Sequence, residues 1–318
     1  MSGTDFIPIS VATLLPTEAV GLDLYQKEDA SDRLVLYRGA KFPISIDDLD
    51  RLRGRGIHRL YISKEARATY QKYLRKIATT SEPGAIPVAA RTTALNEVVR
   101  DVLHLAFSKD DVDQTVNAAE QLGVLAADIV TKDEFAASDL FDVLHHDYAT
   151  FTHSANVALY CGILGAELGY PREDIERITT GGLLHDLGKL EIDEDLLCKP
   201  SRLTDVEFRK IRMHPLVGFR KLAMREDLTE GQLMMAYQHH ERLDGKGYPV
   251  GLKAEDIHPW AKVCAVVDVF EALTSHRPYR TPMPREKALS LQQRDGGTAF
   301  DPEILECWTS IIQRDLVN

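Results

Sequence analysis

Short apolar runs alternate with turn residues over the first 65 residues of the chain. This alternation predicts β-strands at Phe6–Leu14, Val20–Tyr25, Leu34–Tyr37, Phe42–Ile44 and Leu60–Ile62. A helix is expected at Ile46–Arg53, because acidic residues lie near its start and glycines follow its end. The pattern therefore predicts a small α+β unit, in which we find no chemistry-bearing cluster.

The spacing of apolar positions then changes from strand-like to helical. Lys64–Lys76 reads as a basic helix, and the Thr-, Ser-, Pro- and Gly-containing stretch after it is typical of a linker. Further on, apolar residues recur at helical spacing, as in Leu95, Val98, Val99 and Val102, and in Val116, Ala119, Leu122, Ala126 and Ile129. We expect a mostly α protein, with a small α+β domain at residues 1–80 and an all-α domain at residues 81–318.

Composition and charge limit the class of protein and the partners that the chain can bind. The 44% hydrophobic content suits packed cores, and no apolar run approaches the roughly 20 residues needed to cross a bilayer. The N-terminus carries no export signal, so a cytoplasmic protein is expected. A net charge of -11 argues against general binding to DNA or RNA. The scattered cysteines, without a CxxC pair, indicate reduced thiols.

The first candidate for chemistry is an apolar helical run that ends in an adjacent His185 and Asp186, with Lys189 following. If the helix continues, Lys189 lies one turn from His185 and shares its face. An imidazole, a carboxylate and an ammonium would then converge on one cavity. A surface His-Asp pair beside a solvated lysine is the structural alternative for this dipeptide taken alone.

Further imidazoles and a carboxylate in the same region favour a metal centre. They are His153, His214, His239, His240 and Asp268. Asp268 lies in an apolar run where an unpaired carboxylate would cost several kcal/mol, so a cation is expected beside it. Neutral imidazoles and carboxylates bind Fe, Mn, Ni or Zn. The set is too large for one ion and sufficient for two, with Asp186 as the natural bridge.

A pair of metal ions favours one class of reaction. Ions about 3.5 to 4 Å apart can clamp both the attacking and the leaving oxygen of a phosphate ester. We therefore expect hydrolysis at phosphorus, with Asp186 and Lys189 as the candidate catalytic residues. The ammonium of Lys189 would stabilise negative charge that develops on the phosphoryl oxygens.

Two later segments hold candidate substrate-binding residues. Gly245 and Gly247 permit positive φ and close approach of a ligand, and Tyr248 offers a hydroxyl to a phosphate or a ring to a base. Arg277 and Arg280 supply local positive charge and match phosphate in a bidentate geometry. The structural alternatives are a simple turn for the first segment and salt bridges for the second.

Taken together, these motifs resemble the HD-GYP family, a bacterial branch of the HD phosphohydrolases. The likeness spans residues 147–301 and rests on HDLGK at 185–189, HPLVG at 214–218, HHERLDGKGYP at 239–249 and DVFEALTSHRPYR at 268–280. It implies an all-helical fold, a di- or trinuclear metal centre, and hydrolysis of cyclic di-GMP to pGpG or GMP. By motif matching, the metal ligands are His153, His185, Asp186, His214, His239, His240 and Asp268.

The resemblance also assigns the remaining site residues. Lys189 matches the active-site lysine, Tyr248 matches the tyrosine of the GYP signature with Gly247 before it, and Arg277 and Arg280 match the RPYR segment. Family members with three metals carry a glutamate one helical turn before the first ligand histidine, where this chain has Ala149. Two ions, Fe or Mn with Ni or Zn as alternatives, are therefore expected.

Other functions stay open on the sequence alone. The domain could bind a cyclic dinucleotide without turnover, or act as a module that binds GGDEF-domain proteins. It could also hydrolyse another cyclic dinucleotide. For the N-terminal unit the hypothesis is a sensory role or a role in forming a homodimer.

Overall fold

The structure is a computed structural model. It describes residues 5–16, 20–28, 33–80, 86, 90–91, 93–99, 111–132, 150–197, 199, 201–275 and 281–317. The chain divides into two compact units, Met1–Val98 and Val99–Asn318. The domain boundary predicted between residues 80 and 81 stays a prediction.

The first unit is built on a four-stranded antiparallel sheet with the order β1-β4-β2-β3. Its strands are β1 Phe6–Ser10, β2 Leu24–Lys27, β3 Leu34–Arg38 and β4 Arg59–Ser63. The strand predicted at Phe42–Ile44 is wrong, because these residues form the approach to a helix. The two apolar residues of this segment have different surroundings, since Ile44 is buried in the core and Phe42 is exposed.

This unit also contains the helices α1 Ile46–Gly54 and α2 Arg67–Thr79, and its residues 93–98 are helical as well. The side chain of Ser45 caps α1 by accepting a bond from the Asp48 amide, and the Asp48 carboxylate accepts one from the Ser45 amide. The Tyr73 hydroxyl of α2 donates to the carbonyl oxygen of Thr13 at 3.0 Å. That bond ties α2 to the turn that follows β1, so the predicted α+β unit is confirmed.

The second unit is helical in its described part, as predicted, and contains no strand there apart from isolated bridges. Its helices are α3 Val112–Lys132, α4 Thr150–Glu167, α5 Arg172–Leu184, α6 Glu194–Leu197, α7 Asp205–Ile211, α8 His214–Leu222, α9 Glu230–Gln238, α10 Pro259–Thr274, α11 Arg285–Arg294 and α12 Pro302–Val317. None of the described helices is both long and apolar enough to cross a membrane.

Helices α4, α5 and α10 form the centre of this unit. α10 is apolar on nearly all sides and is therefore buried. The rings of Tyr160, Phe270 and Trp308 meet at centroid distances of 5.2 to 6.2 Å and join α4, α10 and α12. α4 packs against α5 and α10, and α5 also packs against α9. The helices that carry the sequence motifs therefore meet in one core.

Candidate metal centre

The α-helix that precedes the HDLGK segment ends directly before His185. α5 ends at Leu184, and residues Leu187–Glu191 form a 3-10 turn that Asp186 precedes with φ -100° and ψ 11°. Lys189 therefore does not lie one α-helical turn from His185, and the prediction of a shared helix face is wrong. The lysine folds back across the turn instead, and its ammonium donates to Asp186 Oδ2 at 2.5 Å.

Two glycines bring this turn against the HPLVG segment. A Cβ atom added at Gly188 would lie 2.0 Å from the carbonyl oxygen of His214 and 2.6 Å from the amide nitrogen of Gly218. Both neighbours are backbone atoms that cannot move aside. Only glycine allows this approach, which brings the start of α8, and with it His214, next to Asp186.

One group of candidate ligands lies on the Oδ2 side of Asp186, and we call it the first half of the site. His153 Nε2 lies 3.3 Å and His185 Nε2 3.4 Å from Asp186 Oδ2. Asp268 Oδ1 lies 3.1 Å from His153 Nε2. All four side chains are buried. These atoms come from α4, α10 and the end of α5, and they can surround one ion.

A separate group gathers on the Oδ1 side of Asp186, the second half of the site. His214 Nε2 lies 3.3 Å and His239 Nε2 3.8 Å from Asp186 Oδ1. His240 belongs to the same cluster, since a ligand atom of each of the three histidines lies within 4.8 Å of the others. Its Nδ1 also lies 3.9 Å from Asp268 Oδ2. One carboxylate thus presents a different oxygen to each set of imidazoles.

Backbone carbonyls fix the tautomers of three of these histidines. The Nδ1 atoms bond to carbonyl oxygens, namely His185 to Gly182 at 2.7 Å, His214 to Ile211 at 2.8 Å and His239 to Met235 at 2.9 Å. A carbonyl only accepts, so each Nδ1 carries the proton and the Nε2 of the neutral ring carries a lone pair. The Nε2 atoms of His214 and His239 face each other at 3.2 Å, an arrangement that a cation between them stabilises.

Several buried polar atoms of the site have no hydrogen-bond partner among the residues that the structure describes. They are His153 Nε2, His185 Nε2 and Asp186 Oδ1. Leaving such groups unsatisfied costs about 1 to 3 kcal/mol each. All three atoms are metal-ligating types and point into the same cluster, so the residues present fit a metal centre.

Glu271, which was not among the residues predicted from the sequence, orients the candidate ligand His153 through its far ring nitrogen. Glu271 Oε2 lies 2.5 Å from His153 Nδ1. Its carboxylate also accepts bonds from Asn156 Nδ2 at 3.0 Å and Ser275 Oγ at 2.5 Å. A carboxylate on the far nitrogen of an imidazole is typical of metal-binding histidines. The signal was available, because Glu271 follows Asp268 by three residues and shares its helix face.

The surroundings favour the neutral form of His239 and His240 and the charged form of Asp186 and Asp268. Burial, and then the neighbouring imidazoles, lower the pKa of His239 well below its usual value, and burial lowers the pKa of His240 from 6.5 to about 3. Burial raises the pKa of Asp186, but the ammonium of Lys189, and then the imidazoles of His185 and His153, outweigh it and leave the pKa well below its usual value. These are the protonation states that bind a divalent cation.

His153 behaves differently because three carboxylates surround it. Burial lowers its pKa, but the charge of Glu271 and the nearby carboxylates of Asp186 and Asp268 raise the pKa well above the usual value. The carboxylates therefore favour a positive charge at this position. A proton provides that charge without a metal, and a cation bound at Nε2 would replace it.

The GYP segment forms a loop that covers the second half of the site. The ring of Tyr248 stacks on His240 with centroids 4.6 Å apart. Gly245 has a φ of 75°, as expected for a turn glycine. Gly247 is needed for another reason, since a Cβ there would lie 2.5 Å from the backbone of Glu241 and Arg242. Gly247 thus packs against the chain, and its substrate role stays a prediction.

The shape of this loop depends on Glu241, which the sequence analysis did not single out. Its buried carboxylate accepts bonds from three successive backbone amides, those of Val250, Gly251 and Leu252, at 2.7 to 3.1 Å. Without that acceptor these amides would be unsatisfied. Glu241 therefore fixes the conformation of the loop segment that follows Tyr248.

Some predicted site residues fall outside the described residues. Arg277 and Arg280, expected to bind phosphate, lie there, as does Ala149, on which the expectation of two rather than three ions rests. Their roles stay predictions.

Comparison with known proteins identifies the family. Residues 139–304 match the HD domain family. The chain belongs to this family. Its HDLGK and GYP motifs place this HD domain protein in the HD-GYP branch, so the resemblance noted in the sequence is confirmed. A solved protein of Bdellovibrio bacteriovorus, described as an HDG"Y"P protein, superposes with a TM-score of 0.71 at 20% identity over 97% of this chain and all of that chain. This likeness confirms the fold alone.

Curated relatives are similar over different lengths. A cyclic di-GMP phosphodiesterase of Pseudomonas aeruginosa is 30% identical over 304 residues, covering 86% of this chain and 70% of that protein. A cyclic di-GMP phosphodiesterase of Thermotoga maritima is 34% identical over 181 residues, and the match covers 54% of this HD domain protein and 49% of the relative. A 3'3'-cGAMP-specific phosphodiesterase of Vibrio cholerae is 36% identical over 157 residues, with 48% and 33% covered. The chain thus spans only half or less of the length of the last two.

Proposed function

We propose that this protein hydrolyses cyclic di-GMP at a centre of two divalent ions. The observation that carries the proposal is Asp186, whose Oδ2 faces His153 and His185 while its Oδ1 faces His214 and His239. A carboxylate with one oxygen toward each ligand group suits two ions about 3.5 to 4 Å apart. The names of the relatives in Pseudomonas aeruginosa and Thermotoga maritima support cyclic di-GMP as the substrate.

The two halves of the site would each hold one ion. His153, His185, Asp186 and Asp268 would hold the first, and Asp186, His214, His239 and His240 the second. A set dominated by imidazoles with shared carboxylates suits Fe or Mn, with Ni or Zn as alternatives. Each ion would keep coordination positions open for water and for the substrate.

The chemistry divides between the ions and the protein. A bound pair supplies Lewis acidity toward phosphoryl oxygens and lowers the pKa of water to about 7. Lys189 is held on Asp186, at the surface of the cluster with 19% of its side chain exposed, where its ammonium can stabilise charge on the phosphoryl group. Burial raises the pKa of Tyr248, so its hydroxyl stays protonated and can donate to a phosphate oxygen.

The test combines metal content with product identification. Metal-free protein is reloaded with Fe or Mn, analysed for ions per chain, and incubated with cyclic di-GMP. We expect two ions and formation of pGpG or GMP, both lost in Asp186→Ala and retained in the exposed control Asp256→Ala. A fully metallated protein that binds cyclic di-GMP without product would instead identify a receptor.

A second candidate substrate is 3'3'-cGAMP, because a relative of 36% identity carries that specificity in its name. The metal centre acts on the phosphodiester that both dinucleotides share, so the ligand set does not discriminate between them. Competition between the two dinucleotides in one reaction measures the ratio of their kcat/KM values. A ratio in favour of cyclic di-GMP supports the main proposal.

A further inference from the structure

Beside the candidate metal centre lies Arg212, a cation to which the described part of the chain offers no counter-ion. The guanidinium carbon of Arg212 lies 4.6 Å from the centroid of the Tyr248 ring and 5.9 Å from that of Phe208. The same Tyr248 ring stacks on the candidate ligand His240. Arg212 is therefore one aromatic ring away from the second half of the site.

Arg212 differs from the other cations near the site in its lack of an anionic partner. Lys189 donates to Asp186 at 2.5 Å, and Arg242 pairs with Asp244 at 2.9 Å. Among the described residues, the guanidinium of Arg212 has neither an ion pair nor a hydrogen bond, although its side chain is half-buried. Contacts with two rings stabilise the charge in part, and its five N–H donors stay available to an anion.

Local structure fixes the position of Arg212. It is the C-terminal cap of α7, with φ -61° and ψ -8°, and it precedes His214, the first residue of α8, by two positions. The helical backbone fixes the Cα atom of Arg212 relative to His214, and the contacts with the rings of Phe208 and Tyr248 position its guanidinium. A cation held in this way is pre-organised for a ligand in the site.

The proposed substrate contains an anion that the metal centre does not accommodate. A cyclic dinucleotide has two phosphodiesters, and only one can be hydrolysed at the ions at a time. The other keeps its full negative charge beside an acidic protein of net charge -11, so it requires a local cation. Lys189 is engaged with Asp186 on the metal side of the site, and Arg277 and Arg280, also predicted to bind phosphate, lie outside the described residues.

We propose that Arg212 binds the phosphodiester that is not being cleaved, and so selects cyclic dinucleotides over substrates with a single phosphodiester. The inference rests on the proposed function and adds a specificity-determining residue to it. A bidentate bond between guanidinium and phosphate would form with the non-reacting part of the substrate. Its loss should therefore affect binding of the dinucleotide more than the chemical step.

The test compares two substrates on the full-length, Mn-loaded protein. Cyclic di-GMP carries two phosphodiesters, whereas bis(p-nitrophenyl) phosphate carries one. For Arg212→Ala we expect kcat/KM toward cyclic di-GMP to fall about 10- to 100-fold, mainly through KM, because a charge-assisted pair is lost. Activity toward bis(p-nitrophenyl) phosphate should stay within about twofold. Arg209→Ala, an exposed arginine on α7, is the matched control and should leave both activities unchanged.

The outcomes separate this inference from the proposed function. An equal loss on both substrates, or no loss on either, overturns the role of Arg212. Arg212→Lys, which keeps the charge without the planar fork, should give an intermediate loss and replaces the alanine variant if that variant does not fold. If the wild type cleaves neither substrate, the proposed function fails. Calorimetry of cyclic di-GMP binding then decides, because a Kd unchanged in Arg212→Ala overturns the inference and one weakened about tenfold supports it.

Discussion

Glu271 illustrates what a single side chain outside the ligand set contributes. Its carboxylate holds His153 Nδ1, while Asn156 and Ser275 hold the carboxylate. The sequence held a signal for it, the spacing of three residues from Asp268, but a glutamate near the C-terminal end of an apolar helix is usually solvated. The convergence of the candidate ligands could be predicted, since His and Asp in an apolar context require a cation, whereas the supporting role of Glu271 became clear from its contacts.

Replacing this carboxylate should weaken the metal centre more than the fold. Glu271→Gln keeps the shape of the side chain but removes the charge behind His153, and we expect the affinity for Mn to fall about 10- to 100-fold. Isothermal titration calorimetry measures this change, with the exposed Glu286→Gln as control. An unchanged affinity would show that Glu271 serves packing alone.

The proton on His153 predicts how metal binding depends on pH. Because its pKa is raised well above 6.5, His153 is protonated near pH 7 in the metal-free protein and must lose that proton to bind an ion. Affinity should therefore rise with pH, by up to about tenfold per unit, and fall in acid. Calorimetry in two buffers of different ionisation enthalpy counts the released protons. Release of about one proton in wild type and none in His153→Ala is expected.

At the scale of elements, a close backbone contact, and not helical spacing, brings the residues of the candidate site together. The convergence of His185, Asp186 and Lys189 could be predicted, but the α-helical reason was wrong, because the chain tightens into a 3-10 turn after Asp186. The contact of that turn with Gly218 depends on a glycine at 188. Sequence spacing does not report a contact between segments about 30 residues apart.

A methyl group at this contact should separate the two halves of the site. In Gly188→Ala the new Cβ meets backbone atoms at 2.0 Å, so the turn and α8 must move apart. We expect destabilisation by about 3 kcal/mol or more and loss of bound metal. Gly54→Ala is the control, since no atom lies within 4 Å of its added Cβ, and it should be neutral or slightly stabilising. Thermal unfolding and elemental analysis measure both effects.

At the scale of the whole molecule, the candidate chemistry is confined to one unit. Every candidate metal ligand lies between His153 and Asp268, inside the unit Val99–Asn318. The helical character of this unit and the α+β character of the first were predictable, because apolar spacing differs between them. The role of the first unit was not, since its pattern encodes a fold without a reactive cluster.

Removal of residues 1–80 should therefore leave the metal centre in place. We expect the shortened protein to bind the same number of ions and to retain its kcat on cyclic di-GMP, as measured by elemental analysis and product formation. Light scattering on both proteins tests the hypothesis that the first unit forms dimers. A shortened protein that folds but no longer binds metal would show that the first unit supports the site.

The two-faced carboxylate of Asp186 also has a consequence for metal supply. Because both ions would share one ligand, the sites are not independent: filling one fixes the side-chain rotamer that the other needs. We expect occupancy to follow a sigmoidal curve wherever this ordering outweighs the repulsion between the ions. When metal is scarce, most molecules would then hold either two ions or none, and few would hold one. The number of active molecules, rather than the rate of each, would therefore follow the metal concentration.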